Sequence, residues 1–311
     1  MMELLSQGFI ASLLLGAIVA GVPLLLAGLG EQLSEKTGVL NIGLEGMMLT
    51  GAYLGFYIAW HTQSMGLGLL AGAAGGTAVA AVMAGCCVWL RLNQIVIGIA
   101  ITLGAEGATA LLQYIQFSRT YPRLGSVDAL PLPLLSHIPF IGRILFNQPP
   151  IVYLAVIAVA LFALLYRYTN LGLALQAAGD KPAALDAAGV NVPGIRTLAV
   201  LVAGLLAGTG GAFMSQIGAG IFVPYMTQGN GFIAIVLAML ARGRPLWVLG
   251  GALLFGVCLS LTTALQVVGL AVPTDVIQML PFMAVMLVLL IFGRRANLPS
   301  ALGTPYFRGS R

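Results

Sequence analysis

Two carboxylates stand where charge is expensive. Glu45 and Glu106 fall inside long apolar runs of a 311-residue chain that holds nine Asp and Glu in all. A carboxylate in such surroundings faces a cavity, a partner or a bundle interior, or else takes up a proton, so each is a candidate site residue. Glu45 follows Asn41 by four positions and Glu106 follows Thr102 by four. Each pair shares a face wherever the chain is helical. The chemistry on offer is hydrogen bonding to a polar solute, or ion and proton exchange at the carboxylates. Thr102 and Glu106 suit an interhelical hydrogen bond as well as a translocation path. Asn93 and Gln94 open the same run, either as helix-start and interface polar groups or as solute contacts.

Other chemistry is excluded by what the sequence lacks. His61 and His137 fall between apolar runs, so no intramembrane His-Glu-x-x-His site exists, and no Gly-x-Ser-x-Gly elbow appears. The two lysines, Lys36 and Lys181, close no Gly-x-x-x-x-Gly-Lys phosphate loop. If ATP drives this chain, a partner subunit binds it. Cys86, Cys87 and Cys258 lie in apolar runs and read as packing residues, with no metal-ligand spacing and no cofactor implied. The net charge of +5 comes from basic residues scattered between apolar runs rather than clustered on a face, which argues against a nucleic-acid partner.

The elements that must hold these residues are membrane helices. Charged residues make up 7% of the chain and hydrophobic ones 59%, and the mean hydropathy is +1.02. Nine apolar runs, 9–29, 42–60, 67–90, 95–117, 151–166, 198–217, 221–241, 246–270 and 276–292, approach the length that crosses a hydrocarbon core. None alternates in polarity as a barrel strand would. Small-residue spacings such as Gly51-x-x-x-Gly55, Gly72-x-x-x-Gly76 and Gly204-x-x-x-Gly208 favour close helix packing. The fold class is therefore all-α, a polytopic transmembrane bundle of eight to ten crossings formed by a single domain, 1–311. A polar stretch, 31–38, precedes the second run, and Pro224 with Gly229-Asn-Gly231 interrupts the seventh, so both are read as broken.

The distribution of Lys and Arg sets the orientation. With the connection 167–196 inside, Lys36, Arg91, Arg167, Lys181, Arg196, Arg242, Arg244, Arg294, Arg295, Arg308 and Arg311 are cytoplasmic, and Arg119, Arg123 and Arg143 are exterior. The C-terminus is then cytoplasmic and 118–150 forms an exterior, proline-rich loop. The interior connection holds Asp180 and Pro182 ahead of Leu185, Asp186, Ala187 and Gly189. Proline near a helix start and glycine just past its end specify a short helix lying along the cytoplasmic surface. Its small residues suit a groove on a partner, with Leu185 as an apolar anchor and Asp186 toward a polar rim.

The stretch Glu35-Lys-Thr-Gly-Val-Leu-Asn-Ile-Gly-Leu-Glu-Gly-Met-Met-Leu-Thr-Gly-Ala-Tyr53 closely resembles the second-span motif of bacterial ABC importer permeases of the nucleoside or simple-sugar type. Leu92-Asn-Gln-Ile-Val-Ile-Gly-Ile-Ala-Ile-Thr-Leu-Gly104 and the segment from Gly172 to Asn191 agree with the broader branched-chain amino acid and ribose permease superfamily. The resemblance runs from about Gly28 to Arg295. It implies a multi-pass subunit of the bacterial cytoplasmic membrane, built from inverted repeats with broken helices. It also implies a second, related permease, ATP-binding subunits and a substrate-binding lipoprotein outside. The interior loop departs from the general importer pattern, because in Asp186-Ala-Ala-Gly189 the glycine follows directly. Two functional classes remain open: an ATP-driven importer of nucleosides or related sugars, and an ion-coupled secondary transporter using Glu45 and Glu106.

Overall fold

The computed structural model describes residues 7–125, 129–131, 136, 138, 141–267, 279–292 and 298–308. His137, Arg294, Arg295 and Arg311 lie outside the described residues, as does the side chain of Arg143. In chain order the helices are α1 (Gln7–Lys36), α2 (Leu44–Thr62), α3 (Met65–Ala84), α4 (Gln94–Phe117), α5 (Ile141–Leu145), α6 (Pro150–Tyr168), α7 (Asn170–Asp180), α8 (Pro182–Ala187), α9 (Val192–Phe213), α10 (Asn230–Leu240), α11 (Pro245–Val267) and α12 (Leu280–Phe292). Short strands β1 (Leu130–Pro131) and β2 (Asn147–Gln148) pair antiparallel beside α5 in the proline-rich loop. Each of the nine apolar runs carries one of these helices. Six helical spans among the described residues are long and apolar enough to cross a membrane. The 19-residue α2 is long enough but less apolar, and most of its residues are buried by neighbouring helices.

Helix starts follow the polar residues that the sequence places there. Ser64, Asn93, Thr169 and Asn191 accept backbone N–H groups at the first turns of α3, α4, α7 and α9. Proline opens α6 and α8, where its missing N–H costs nothing. Two π-helical turns, Gly85–Trp89 and Met214–Gly218, extend α3 and α9.

In lipid, apolar helices gain little from hiding from solvent, so close backbone approach decides which ones pack. A Cβ on Gly51 or Gly76 would collide with Gly208 or Gly204 of α9, and one on Gly211 would strike the Met48 carbonyl of α2. The glycine spacings therefore seam α2, α3 and α9 together. Gly21 and Gly256 do the same for α1 and α11, against Ala252 and Ala17. The outward face of α4 differs: Leu103, Leu111 and Ile115 are exposed, and Gly104 and Gly107 have open space.

The two interruptions were placed correctly, with one correction. The polar stretch 31–36 belongs to α1, and Glu31, Gln32, Ser34 and Glu35 are buried there. It is held helical by packing among the other helices, and Glu31 Oε1 accepts the Asn41 N–H at 3.1 Å. The break itself is residues 37–43. Along it Leu40 N–H donates to Gln94 Oε1 at 2.8 Å, and the Ile42 carbonyl accepts Thr102 Oγ1 at 3.4 Å. Those partners are eight residues apart on α4, so the non-helical segment runs along that helix before α2 begins. The second break runs from Ala219 to Gly229, which adopts φ +84 at the start of α10. Left-handed backbone there is the reason for glycine at this position.

Candidate functional site

The two breaks meet at Glu45. In the first turn of α2, its Oε1 accepts the Gly229 N–H at 2.8 Å and its Oε2 accepts the Gly231 N–H at 2.6 Å. The carboxylate thus caps α10 from another helix, where unpaired N–H groups and the helix dipole favour negative charge. Glu45 is 3% exposed, and a Cβ on Gly231 would collide with its backbone. The starts of α2 and α10 are thereby held against each other where the two breaks end.

The other sequence candidates divide. Asn41 lies in the break, outside any helix, so it shares no helical face with Glu45; its Nδ2 approaches Met47 Sδ at 3.4 Å. Gln94 and Thr102 hold the break against α4. Asn93 Oδ1 caps α4 through the N–H groups of Ile95 and Val96. Glu106 sits half-buried one turn beyond Thr102, and the Glu106 carbonyl accepts Thr109 Oγ1 at 3.3 Å. His61 ends α2 against the Tyr57 ring rather than lying in a loop.

A large cavity lies elsewhere. It has a volume of about 940 Å³ and is walled by the first half of α1, the second break, the start of α10 and the last turns of α11. Its apolar walls, from Phe9, Val19, Ile221 and Leu259, carry polar groups from Ser12, Gln228, Asn230, Ser260, Thr263 and Gln266. None of the six sequence candidates for the pathway lines it. Glu45 borders it indirectly by fixing Gly229 and Gly231 on either side of Asn230. The sequence signal that could have found it is the Pro224 to Asn230 interruption, since irregular backbone at membrane depth is tolerated where it lines a cavity.

Sequence reasoning also missed a buried polar group at the far end of α1. Glu31 Oε2, Glu35 Oε2, both amide atoms of Gln32, Asn41 Oδ1 and the Tyr166 hydroxyl are buried without protein partners. Lys36 lies over the Tyr166 ring at 4.4 Å. The same end carries α8, the C-terminal segment, Arg91 over Phe307, and Arg308 bonded to Asp186 at 3.2 Å. Arg119 and Arg123 follow α4 at the opposite end, near Gly220, whose carbonyl accepts the Leu124 N–H.

The short helix is present as α8, with Gly189 at φ +83 just past its end. Its surface differs from expectation at one residue. Leu185 is 7% exposed and packs with Ala178 and Val192, so it anchors α8 to its own bundle instead of projecting outward. Ala184, Ala187, Ala188 and Gly189 are exposed and Asp186 is half-buried. Asp180 is exposed and ends α7, a helix that the interior connection was not expected to contain.

A multi-pass helical bundle with broken helices around a polar-studded cavity is a solute-conducting membrane protein. The chain matches the family of branched-chain amino acid transport system permease components over residues 13–292, and it belongs to that family. It is 40% identical over 274 residues to the putative glucose ABC transporter permease protein TsgC13 of Haloferax volcanii, covering 85% of this chain and 81% of that one. It is 32% identical to the guanosine ABC transporter permease protein NupQ of Bacillus subtilis, covering 94% and 96%. The nucleoside ABC transporter permease protein NupC of Lactococcus lactis is also 32% identical, covering 94% and 95%. No solved structure matches the chain. The protein is a transport component rather than an enzyme, and membership in this family implies an ATP-binding partner subunit.

Proposed function

We propose that this chain lines the path of an ATP-driven importer carrying nucleosides or related sugars across the cytoplasmic membrane. The observation that carries the reading is the cavity of about 940 Å³, whose wall combines apolar side chains with amides and hydroxyls and holds no charged residue among the described residues. Such a wall suits an uncharged polar solute, with rings against the apolar surface and hydroxyls on the polar groups. The names of the relatives, which include nucleoside and glucose permeases, support the same solute class. In this reading the cavity end faces outward, toward a substrate-binding lipoprotein, and the end bearing α8 and the C-terminus is cytoplasmic. The basic residues gathered at the α8 end support that orientation. Residues 167–196 face the ATP-binding subunit, 118–150 lie outside, a related second permease completes the path, and lipid surrounds the bundle. ATP stays on the partner, and this chain holds no cofactor.

Proteoliposomes containing the full complex test the proposal. Uptake of labelled nucleosides is expected to depend on ATP, with pentoses weaker and branched-chain amino acids excluded. Asn230→Leu, which removes an amide from the cavity wall, is expected to lower uptake at least tenfold while assembly with the ATP-binding subunit persists. Uptake driven by an ion gradient without ATP, or full uptake by Asn230→Leu, would overturn it.

A further inference from the structure

Arg196, near the start of α9, is 3% exposed. Its Nη1 donates to the Thr304 carbonyl at 2.9 Å and its Nη2 to the Ala178 carbonyl at 3.2 Å, while Nε is buried with no partner. Both partners are neutral. Among the described residues no carboxylate pairs with this guanidinium, and Asp186 is engaged by Arg308 instead. Removing a cation from water costs several kcal/mol, which carbonyl dipoles offset only in part, so buried charges are ordinarily paired.

Arg196 lines a cavity of about 460 Å³ between α8 and the C-terminal segment. Lys181, Ala184, Thr304 and Tyr306 also contribute to its wall, and among the described residues Lys181 and Arg196 are the only charged ones there. Among the described residues the wall thus holds two cations and no anion, and it is incomplete in charge. A carboxylate or halide would neutralise one of them. A phosphate monoester, carrying about −1.5 to −2 at neutral pH, matches both.

We propose that this cavity is a phosphate-binding site, taking the phosphate monoester of a soluble organic phosphate or of phosphatidic acid. Its volume leaves room for part of the molecule that bears the phosphate. An occupant would bridge Lys181 ahead of α8, Arg196 of α9 and the segment around Thr304, and so fix α8 relative to the bundle. The inference rests on these contacts and not on the importer reading.

Purified full-length chain, stripped of lipid in detergent, is titrated calorimetrically with inorganic phosphate and with adenosine 5′-monophosphate. In parallel the chain is placed in nanodiscs of phosphatidylcholine with or without phosphatidic acid, and retained lipid is read by native mass spectrometry. The expected result is one saturable phosphate site per chain. Saturation by the soluble probes assigns the site to free phosphates, and retention of phosphatidic acid alone assigns it to a headgroup. In either arm Lys181→Gln, on an exposed side chain, is expected to weaken binding about tenfold with an unchanged melting temperature, and Arg196→Gln to abolish it. If Arg196→Gln fails to fold, Lys181→Gln decides by itself. Absence of saturable binding in both arms, or binding indifferent to Lys181→Gln, overturns the proposal.

Discussion

At the scale of single residues, Glu45 shows how backbone N–H groups hold a carboxylate inside an apolar bundle. Its two oxygens accept two backbone N–H groups at the start of α10, so its charge meets the positive end of a helix. A hydrogen bond to a charged group contributes roughly 1.5–3 kcal/mol, and an orphaned buried N–H adds its own penalty. Glu45→Ala is therefore expected to lower the apparent melting temperature in detergent and to abolish uptake. Glu45→Gln keeps one acceptor and is expected to fall between alanine and wild type in a thermal unfolding assay; equal melting of all three would refute the capping role. The sequence showed that Glu45 is special, because carboxylates in apolar runs are rare. It could not show the partner, which lies 184 residues away in the chain. Asn93 was legible as a cap because its partners are two and three residues on. Glu106 sits half-buried on α4, whose opposite face is exposed. If it faces the bundle through a hydrogen bond, Glu106→Gln supports full uptake and Glu106→Leu does not.

At the scale of elements, the glycines separate two kinds of helix face. Gly211 sits where any Cβ would strike the Met48 carbonyl, whereas Gly107 meets nothing within 4 Å. Gly211→Leu is expected to prevent α2 and α9 from packing and to leave little folded protein after size-exclusion in mild detergent. Gly107→Leu should match the wild-type yield, since a larger apolar side chain on an outward face costs little. Equal yields from the two variants would show that the seam does not hold the bundle. The apolar runs and glycine spacings made the helices and these seams readable, because both are local patterns with fixed periods. The end of α1 was not readable. Glu31, Gln32 and Glu35 look like a loop by composition, and only burial among other helices keeps them in a helix. The cavity escaped for the same reason, since its wall assembles Ser12, Asn230 and Gln266 from three distant parts of the chain.

At the scale of the whole molecule, a transport subunit without a nucleotide site must receive motion through a surface that its own bundle holds firmly. In the proposed importer the region around α8 is that surface. Leu185 seats the helix in a cluster with Ala178 and Val192, and the C-terminal segment straps it through the Ala301 N–H to the Gly179 carbonyl and the Gly303 N–H to the Gly38 carbonyl. Gly38 lies at the foot of the first break, so the strap joins the α8 region to the segment that climbs toward Glu45. The two faces of α8 therefore call for different variants. On the exposed face, Ala187→Arg adds bulk where a partner would sit and leaves the seat intact; it should preserve the melting temperature while reducing capture of the ATP-binding subunit and uptake together. On the buried face, Leu185→Ala empties a packed site at a cost of about 2–5 kcal/mol. It should lower the melting temperature and weaken substrate-stimulated ATP hydrolysis more than capture, because the partner still finds its surface but pulls on a loosened helix. If Ala187→Arg retains normal capture and hydrolysis, the docking surface lies elsewhere, with the connection between α10 and α11 at Arg242 to Pro245 the next region to test.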